Sequence, residues 1–391
     1  MQLSNRITTL TPDASGGWEI YLRARAMVAA GESITELTIG EHDIRTDPAI
    51  LNEMHRAALA GHTGYAAIPG IPALRDVIAE RVTAATGVPT KRENVVITPG
   101  GQAALFAAHM AVCDPGQTAL YIDPYYATYP GTLRGASAVA RPIAALAENG
   151  FQPDPAEIAK TAAVTNAASL LINTPNNPTG VVYSRETLDG IAEASKDHDF
   201  WVISDEVYDT QLWDGEHISI RALPGMADRT LVVGSMSKSH AMTGSRVGWI
   251  VGPEAAVSNL INLSTHTTYG VPGYIQEAAL FALQQGPRFE EAIAEPFRRR
   301  RLIALDILGQ QNLVRSVPPQ GAMYMMLDIR ATGLSGSDFA ARLLEERKIA
   351  VMPGESFGEA AAGHIRVAMT VEDNAFAAAL QEVMRFAAAQ I

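Results

Sequence analysis

The chain has 391 residues, 47% hydrophobic and 18% charged, a composition typical of a folded protein large enough for two domains. Its formal net charge of -12 argues against nucleic acid as a partner, because binding phosphates requires a basic surface. No apolar stretch reaches the roughly 20 residues that span a bilayer, and the first residues lack the pattern of a secretory signal. We therefore expect a cytoplasmic protein with no membrane partner, which agrees with its single cysteine, Cys113.

Six short apolar runs alternate with Ala-rich helical stretches through the middle of the chain. Each run is apolar throughout, which is typical of strands buried on both faces of a mainly parallel sheet. In open α/β sheets, ligands bind beyond the carboxyl ends of the strands, so we expect the functional site there. The predicted strands are residues 94–98, 118–123, 169–173, 200–204, 230–234 and 247–251.

The pattern changes near residue 290 and predicts a smaller α+β unit. A strand predicted at residues 37–40 lies outside the main alternation and is expected to join this unit. We therefore predict a large domain at residues 46–289 and a small domain formed by residues 1–45 and 290–391. The predicted elements of the C-terminal part are a helix from 288 to about 311, a strand within 322–328, a helix near 337–347 and strands at 350–352 and 363–369.

One basic cluster, residues 298–301, lies in the predicted helix that also carries Glu290, Glu291 and Glu295. Mixed charges of this kind favour a solvated helix face. The nine histidines show no spacing typical of metal ligands, so we expect no metal site.

Polar residues follow several of the predicted strands. Residues 98–105 form a strand-to-helix turn whose glycines suit an anion, although an ordinary turn explains them equally well. Residues 173–180 form a Pro-rich loop that presents Asn177 at a strand end. Asp205 ends another strand, where a carboxylate is costly to bury without a cationic partner. A protonated pyridine nitrogen would be such a partner, whereas a helix-capping role is the simpler alternative.

Three further features fit the same chemistry. Lys238 lies among small polar residues, between Ser235 and Arg246, so that an amine stands near groups able to hold a phosphate. Tyr208 follows Asp205 by three residues, and Tyr126 offers a ring at another strand end for stacking or for core packing. Taken singly, each signal also fits ordinary structure. Their order on successive strands predicts one site for pyridoxal phosphate.

With these motifs in place, the chain resembles the class I/II aminotransferases of pyridoxal phosphate fold type I over essentially its full length. The resemblance implies an α/β large domain with a mainly parallel seven-stranded sheet between helices, plus a smaller α+β domain that closes over the substrate. The matching segments are residues 176–180, 205–208 and 235–248, the spacing of Tyr65, Gly70, Leu74 and Arg75, and the pair Ile365 and Arg366.

The resemblance also implies the roles of individual residues. Lys238 is the Schiff-base lysine and Asp205 the partner of the pyridinium nitrogen. The phenolate oxygen is bound by Asn177 and Tyr208, and Tyr126 stacks on the ring. The implied substrate-binding residues are Arg366, which binds the α-carboxylate, Gly40, which lies over the substrate, and also Asn177. The groups implied for the phosphate are Gly101, Gln102, Ser235, Arg246 and, from the partner subunit of a homodimer, Tyr65.

The implied reaction moves the α-amino group of an L-amino acid to a 2-oxo acid, pyruvate or 2-oxoglutarate, by ping-pong kinetics. Ser245 and Gln102 depart from the residues common in the family. Residues 237–244 and 223–230 are similar to those of arginine–pyruvate transaminases, which makes arginine a candidate donor. A C–S β-lyase of the same fold type is the first alternative, and a non-catalytic regulator that binds pyridoxal phosphate is a remote one. Tyr269, Tyr21 and Trp18 are candidates for the side-chain pocket.

Overall fold

The computed structural model describes residues 1–11 and 18–391. Its strands are, in chain order, β1 (Thr35–Leu37), β2 (Val95–Thr98), β3 (Thr118–Asp123), β4 (Val139–Ala144), β5 (Ser169–Asn173), β6 (Trp201–Asp205), β7 (Thr230–Ser235), β8 (Gly248–Val251), β9 (Tyr324–Asp328), β10 (Ile349–Pro353) and β11 (His364–Ala368). Its α-helices are α1 (Asn5–Thr8), α2 (Glu19–Ala29), α3 (Pro48–Leu59), α4 (Pro72–Thr86), α5 (Gly101–Val112), α6 (Tyr129–Gly135), α7 (Pro155–Thr165), α8 (Arg185–Asp197), α9 (Met236–Ser239), α10 (Glu254–Thr265), α11 (Gly273–Gln284), α12 (Arg288–Gly309), α13 (Gly336–Arg347) and α14 (Asp373–Ala388). In these two ranges, no helix has both the length and the apolar character needed to cross a membrane.

Seven strands form the larger sheet, in the order β2-β8-β7-β6-β5-β3-β4. The strands from β7 to β4 run parallel, and β8 is antiparallel to both of its neighbours. The prediction of a mainly parallel sheet is therefore confirmed. Alternate side chains reach opposite faces: Leu170 and Ile172 pack with residues of α7 and α8, whereas Leu171 packs with α5. Both faces are covered by helices, which explains why these strands are apolar throughout.

The sequence runs predicted six of these seven strands and missed β4. This strand lies at the edge of the sheet, pairs only with β3 within the described chain, and leaves most of its side chains exposed. It also contains Pro142, which lacks the N–H that a central strand needs. Because β4 lies at an exposed edge, its residues need not be apolar, and the search for apolar runs did not find it.

The second, smaller sheet has four strands in the order β1-β10-β11-β9. It joins strand β1 near the N-terminus to three strands from the last 70 residues, as the sequence predicted. Its core includes residues of α2, α12, α13 and α14. The strand predicted at residues 37–40 is displaced: β1 ends at Leu37, and the residues that follow it, Gly40 and His42, contact Lys238 beside the large sheet.

Arg300 corrects the prediction of a solvated basic face on α12. Arg298 and Arg299 are substantially exposed, but only 3% of Arg300 is exposed. Its guanidinium donates to Asp43 at 2.7 and 3.0 Å, to Asp373 at 2.9 Å and to the carbonyl oxygen of Met369. These acceptors lie far away in sequence, so the local charge pattern gave no sign of them. Arg300 ties α12 to the segment that follows β1 and to α14.

Asp123 makes a direct link between the two sheets. It ends β3, and its buried carboxylate accepts hydrogen bonds from the backbone N–H groups of Glu359 at 3.0 Å and Ala360 at 3.3 Å. Gly358, with φ of 117°, allows this approach, because a Cβ atom there would overlap the carboxylate. Burial raises the pKa of Asp123 to about 6, and the two N–H groups offset part of that rise. The link fixes the loop that carries Phe357.

Candidate active site

Asp205 lies at the carboxyl end of β6 with its carboxylate buried. One oxygen accepts a 2.6 Å hydrogen bond from the hydroxyl of Tyr129, and the other accepts a 3.3 Å bond from the backbone N–H of Val207. Burial raises the pKa of Asp205 to about 6, and these hydrogen bonds offset part of the rise. No ion pair in the described part of the chain involves Asp205, so its charge is available to a buried cation.

The loop after β5 places Asn177 beside Asp205. The side chain of Asn173 donates to the carbonyl oxygen of Asp205 at 2.9 Å and accepts from the backbone N–H of Asn177 at 2.8 Å. Both asparagines are buried. Asn177 Oδ1 accepts from Arg366 at 2.9 Å, which leaves the amide N–H₂ of Asn177 free to donate toward the cavity.

Lys238 lies on the short helix α9, directly after β7. Its Nζ donates to the carbonyl oxygen of Gly40 at 2.6 Å. The carbonyl oxygen of Lys238 accepts from Gln211 at 3.0 Å and lies 3.0 Å from Nε2 of His42. The backbone of Lys238 is thus held from two sides while its amine points at the segment that follows β1.

The start of α5 offers groups that suit an anion. The N-cap of α5 is Gly100, with φ of 84°, and the first N–H groups of a helix have no acceptor within it. A Cβ atom on Gly100 would overlap the guanidinium of Arg246, so the glycine lets this cation approach the helix N-terminus. Ser235 and Gly101 line the same cavity. Gln102 also lines it, with its side chain bonded to Thr132 at 2.7 Å and Thr128 at 3.0 Å.

Arg366 forms the opposite wall. This buried guanidinium, on β11, donates to Asn177 Oδ1 and to the carbonyl oxygen of Thr38. The rings of Tyr324 and Phe357 cover it, with centroids 4.4 and 4.3 Å from Cζ. Burial lowers the pKa of Arg366, and its Nε has no hydrogen-bond partner among the described residues. A desolvated cation with unused N–H groups suits a carboxylate ligand.

Two predicted tyrosines complete the site. Tyr126 lines the cavity with its ring perpendicular to that of Tyr129, at a centroid distance of 5.7 Å. Tyr208 is buried and donates to the hydroxyl of Tyr324 at 3.2 Å. Burial raises the pKa of both Tyr126 and Tyr208, so both hydroxyls are protonated donors at neutral pH.

A cavity of about 300 Å³ brings these side chains together. Tyr65 is not part of it: 92% of this residue is exposed, and its ring contacts Tyr269 at 5.1 Å. Of the three candidates for the side-chain pocket, Trp18 lines the cavity, whereas Tyr21 and Tyr269 do not. The predicted residues that line the cavity are Gly40, Gly101, Gln102, Tyr126, Asn177, Asp205, Tyr208, Ser235, Lys238, Arg246 and Arg366.

The sequence did not single out Tyr129, Tyr324 or Phe357. Tyr129 ends the aromatic run from which Tyr126 was chosen, and its spacing alone does not show which ring reaches Asp205. Tyr324 lies on the small sheet and Phe357 in the loop after β10, and in the sequence both resemble ordinary core aromatic residues. Only their long-range contact with Arg366 distinguishes them from core residues.

Comparison with known proteins gives the family. The family described as aminotransferase class I and II matches residues 32–383. The chain is 41% identical to an arginine–pyruvate transaminase of Pseudomonas aeruginosa, covering 95% of this chain and 94% of the relative. It is 35% identical to an aspartate/prephenate aminotransferase of Thermus thermophilus, covering 98% of each chain.

Solved structures agree with this assignment. The aspartate aminotransferase of Thermus thermophilus with maleate superimposes with a TM-score of 0.91 at 34% identity, over 99% of this chain and all of the other. That of Thermotoga maritima gives 0.92 at 32% identity, over 98% and 99%. The chain belongs to the class I and II aminotransferases. It is a transaminase that uses pyridoxal 5'-phosphate and moves an amino group from an amino acid to a 2-oxo acid.

The residues of the cavity fit this cofactor. Asp205 is a buried carboxylate that forms no ion pair with any described residue, and a pyridinium would compensate its charge. The start of α5 and Arg246 offer N–H groups and positive charge to a phosphate. A lysine amine, Lys238, lines the same space. The three chemical ends of the cofactor thus each have a matching group.

Proposed function

We propose that Lys238 carries the cofactor and moves the proton, and that Asp205 holds the pyridinium. When bound, the cofactor supplies the aldehyde that takes up the amino group and the ring that stabilises negative charge at the donor Cα. Lys238 Nζ would then accept the Cα proton and return it at the other end of the transfer. The carboxylate of Asp205 keeps the ring nitrogen protonated. Burial of both charges strengthens the electrostatic attraction between them.

The remaining contacts of the cofactor follow from the same cavity. The amide of Asn177 and the hydroxyl of Tyr208 would donate to the phenolate oxygen, and Tyr126 would cover a ring face. The phosphate would bind the start of α5, through Gly101 and Gln102, together with Ser235 and Arg246. The N-terminal position of α5 supports this assignment more strongly than the side chain of Gln102, which is already bonded to α6.

Arg366 is the proposed receptor of the substrate α-carboxylate. Its position supports this role, because it is the cation on the wall of the cavity that faces Asn177 and Thr38. Gly40 lies close enough to Tyr324 that a Cβ atom would overlap the tyrosine hydroxyl, which keeps the backbone near residue 40 against the cavity.

We further infer that the enzyme is a cytoplasmic homodimer of two-domain subunits, divided as residues 46–289 and residues 1–45 with 290–391. Tyr65 supports the dimer, because 92% of this tyrosine is exposed within one subunit, as expected of a side chain that contacts a partner subunit. Mixing Lys238→Ala subunits with Tyr65→Ala subunits tests this. Hybrid dimers would regain one intact site and activity, whereas two inactive homodimers that gain nothing would contradict a shared site.

Arginine is the proposed donor and pyruvate the proposed acceptor. The support is the identity to an arginine–pyruvate transaminase over 95% of the chain. In addition, Glu41 lines the cavity and leaves a carboxylate available to a cationic side chain, with one oxygen accepting from Thr243 at 2.7 Å.

A half-reaction screen tests this proposal. Purified holoenzyme is mixed with arginine, lysine, aspartate or alanine, one at a time, and the absorption of the bound cofactor is followed. Arginine should convert the cofactor fastest, and pyruvate should restore it. Fastest conversion by aspartate would contradict the cationic donor. Release of pyruvate from cystathionine without any 2-oxo acid acceptor would identify the lyase instead.

A further inference from the structure

Tyr324 contacts both the proposed receptor of the substrate carboxylate and a residue assigned to the cofactor. It begins β9 and is buried, with its side chain lining the cavity. Its ring covers one face of the Arg366 guanidinium, and its hydroxyl accepts from Tyr208 at 3.2 Å. One residue of the small sheet therefore joins the carboxylate receptor to the group assigned to the phenolate oxygen.

The ring restricts Arg366 to one plane. Cζ of the guanidinium lies over both rings, 4.4 Å from the centroid of Tyr324 and 4.3 Å from that of Phe357. Flat guanidinium groups bind aromatic faces well, and their N–H groups all point outward in the plane. The two rings and the burial of Arg366 thus keep water from the guanidinium and limit the directions in which its N–H groups can point. Phe357 is held in turn, because Asp123 binds the following loop residues Glu359 and Ala360.

The hydroxyl of Tyr324 interacts with Tyr208 and not with Arg366. In the structure, the Tyr208 hydroxyl donates to that of Tyr324 at 3.2 Å. When Tyr208 instead donates its one proton to a phenolate oxygen, this hydrogen bond reverses, and the Tyr324 hydroxyl donates to the oxygen of Tyr208. A second donor in such a chain polarises the first and strengthens its hydrogen bond. This effect requires the Tyr324 hydroxyl and not its ring.

We propose that Tyr324 is a positioning residue with two separable functions, its ring orienting Arg366 for the α-carboxylate and its hydroxyl supporting Tyr208. The proposal rests on the roles assigned above to Arg366 and Tyr208. It gives Tyr324 no bond to the reacting atoms.

Three variants separate the two functions. Tyr324→Phe keeps the ring and removes the hydroxyl, Tyr324→Leu removes both, and Phe357→Leu removes the other covering ring without touching a hydroxyl. Tyr183→Phe is the matched control, because Tyr183 is an equally buried tyrosine that does not line the cavity. Thermal melting of each holoenzyme reports whether the variant is folded.

Two measurements report on the two functions. The first is KM, with kcat, for the amino acid that converts the holoenzyme fastest. The second is the pH midpoint of the visible absorption band of the bound cofactor, which reflects how strongly the phenolate oxygen holds a proton. A donor to this oxygen favours its charged form, so weaker donation moves the midpoint upward.

Tyr324→Phe should leave KM within about twofold and raise the midpoint by about 0.3 to 0.5 pH units. Tyr324→Leu should raise KM about tenfold, with kcat changed less than about threefold, and should raise the midpoint as well. Phe357→Leu should raise KM without moving the midpoint. Tyr183→Phe should change neither.

A KM that rises as much in Tyr324→Phe as in Tyr324→Leu would overturn the role of the ring, and an unmoved midpoint in Tyr324→Phe would overturn that of the hydroxyl. If Tyr324→Leu does not fold, Phe357→Leu tests the covering of Arg366 alone, and an unchanged KM there contradicts it. An unchanged KM in Arg366→Lys would instead remove the assigned role of Arg366. The failure of that assignment is thus distinct from the failure of the inference about Tyr324.

Discussion

The site contains two buried charges of opposite sign, Asp205 and Arg366, and the protein stabilises them in different ways. Asp205 ends a strand of the large sheet and accepts hydrogen bonds from Tyr129 and Val207. Arg366 lies on the small sheet, covered by two aromatic rings and donating to two oxygens. Neither has an ion-pair partner in the described part of the chain.

The difference follows from the shape of the two groups. A carboxylate concentrates charge on two oxygens, so it can be buried only where donors point at it. A guanidinium is flat and weakly hydrated, so rings can replace water on its faces while its edge stays free. Each charged group therefore remains without an opposite charge next to it and lines the cavity. A cofactor cation and a substrate anion would bind there.

Lys238 lines the same cavity as the two charges, and its removal should have the largest effect. We expect Lys238→Ala to lower kcat by about 10⁴-fold or more, because it removes the group that transfers the proton. Binding of a carboxylate inhibitor at Arg366 should change little. Steady-state turnover and inhibitor titration measure the two effects, with the exposed Lys160→Ala as control. Normal turnover in Lys238→Ala would exclude it as the catalytic lysine.

Asp205→Asn should separate function from stability. We expect kcat to fall by about 10²- to 10³-fold, since the carboxylate no longer holds the ring nitrogen protonated.

In the cofactor-free protein, by contrast, the same substitution should increase stability at neutral pH. Because burial raises the pKa of Asp205 from 3.8 to about 6, the folded state keeps a proton that the unfolded chain has already lost between these values. Stability therefore falls as the pH rises through that window.

Asparagine does not titrate, so the variant lacks this loss. Relative to the wild type, the cofactor-free Asp205→Asn protein should gain on the order of 3 kcal/mol between pH 4 and pH 8. Denaturant unfolding of both cofactor-free proteins at several pH values measures this difference. A difference in stability that stays constant with pH would show that Asp205 is not a costly buried anion.

The two charged walls also differ in what the sequence reveals. Asp205, Asn177 and Lys238 all lie shortly after the ends of apolar runs, so the order of strands already places them at one edge of the sheet. The supports of Arg366 are Tyr324 and Phe357, which look like any other core aromatic residue in a sequence. Similarly, β4 was missed because it lies at an exposed edge, and the burial of Arg300 was missed because its carboxylate partners are 73 and 257 residues away. A sequence shows which polar residues follow a strand, whereas contacts between distant segments can be identified only once the fold is known.

Arg366→Lys tests the flat shape of the cation and should have the next largest effect. A lysine ammonium keeps the charge but cannot bind a carboxylate through two parallel hydrogen bonds or fill the space between two rings. We expect KM for amino acid substrates to rise about 10- to 100-fold while the cofactor stays bound. Substrate kinetics and the absorption spectrum measure both quantities. Loss of the cofactor in this variant would show that Arg366 supports the cofactor and not the substrate.

Tyr129→Phe is the mildest change and tests how Asp205 is held. The variant keeps the ring packed against Tyr126 and removes one donor from the carboxylate. Burial already raises the pKa of Asp205, and loss of this hydrogen bond should raise it further. We expect kcat to fall about three- to tenfold and the acidic limb of its pH profile to move to higher pH. A lower kcat with an unmoved acidic limb would mean that Tyr129 acts through packing and not through its hydrogen bond to Asp205.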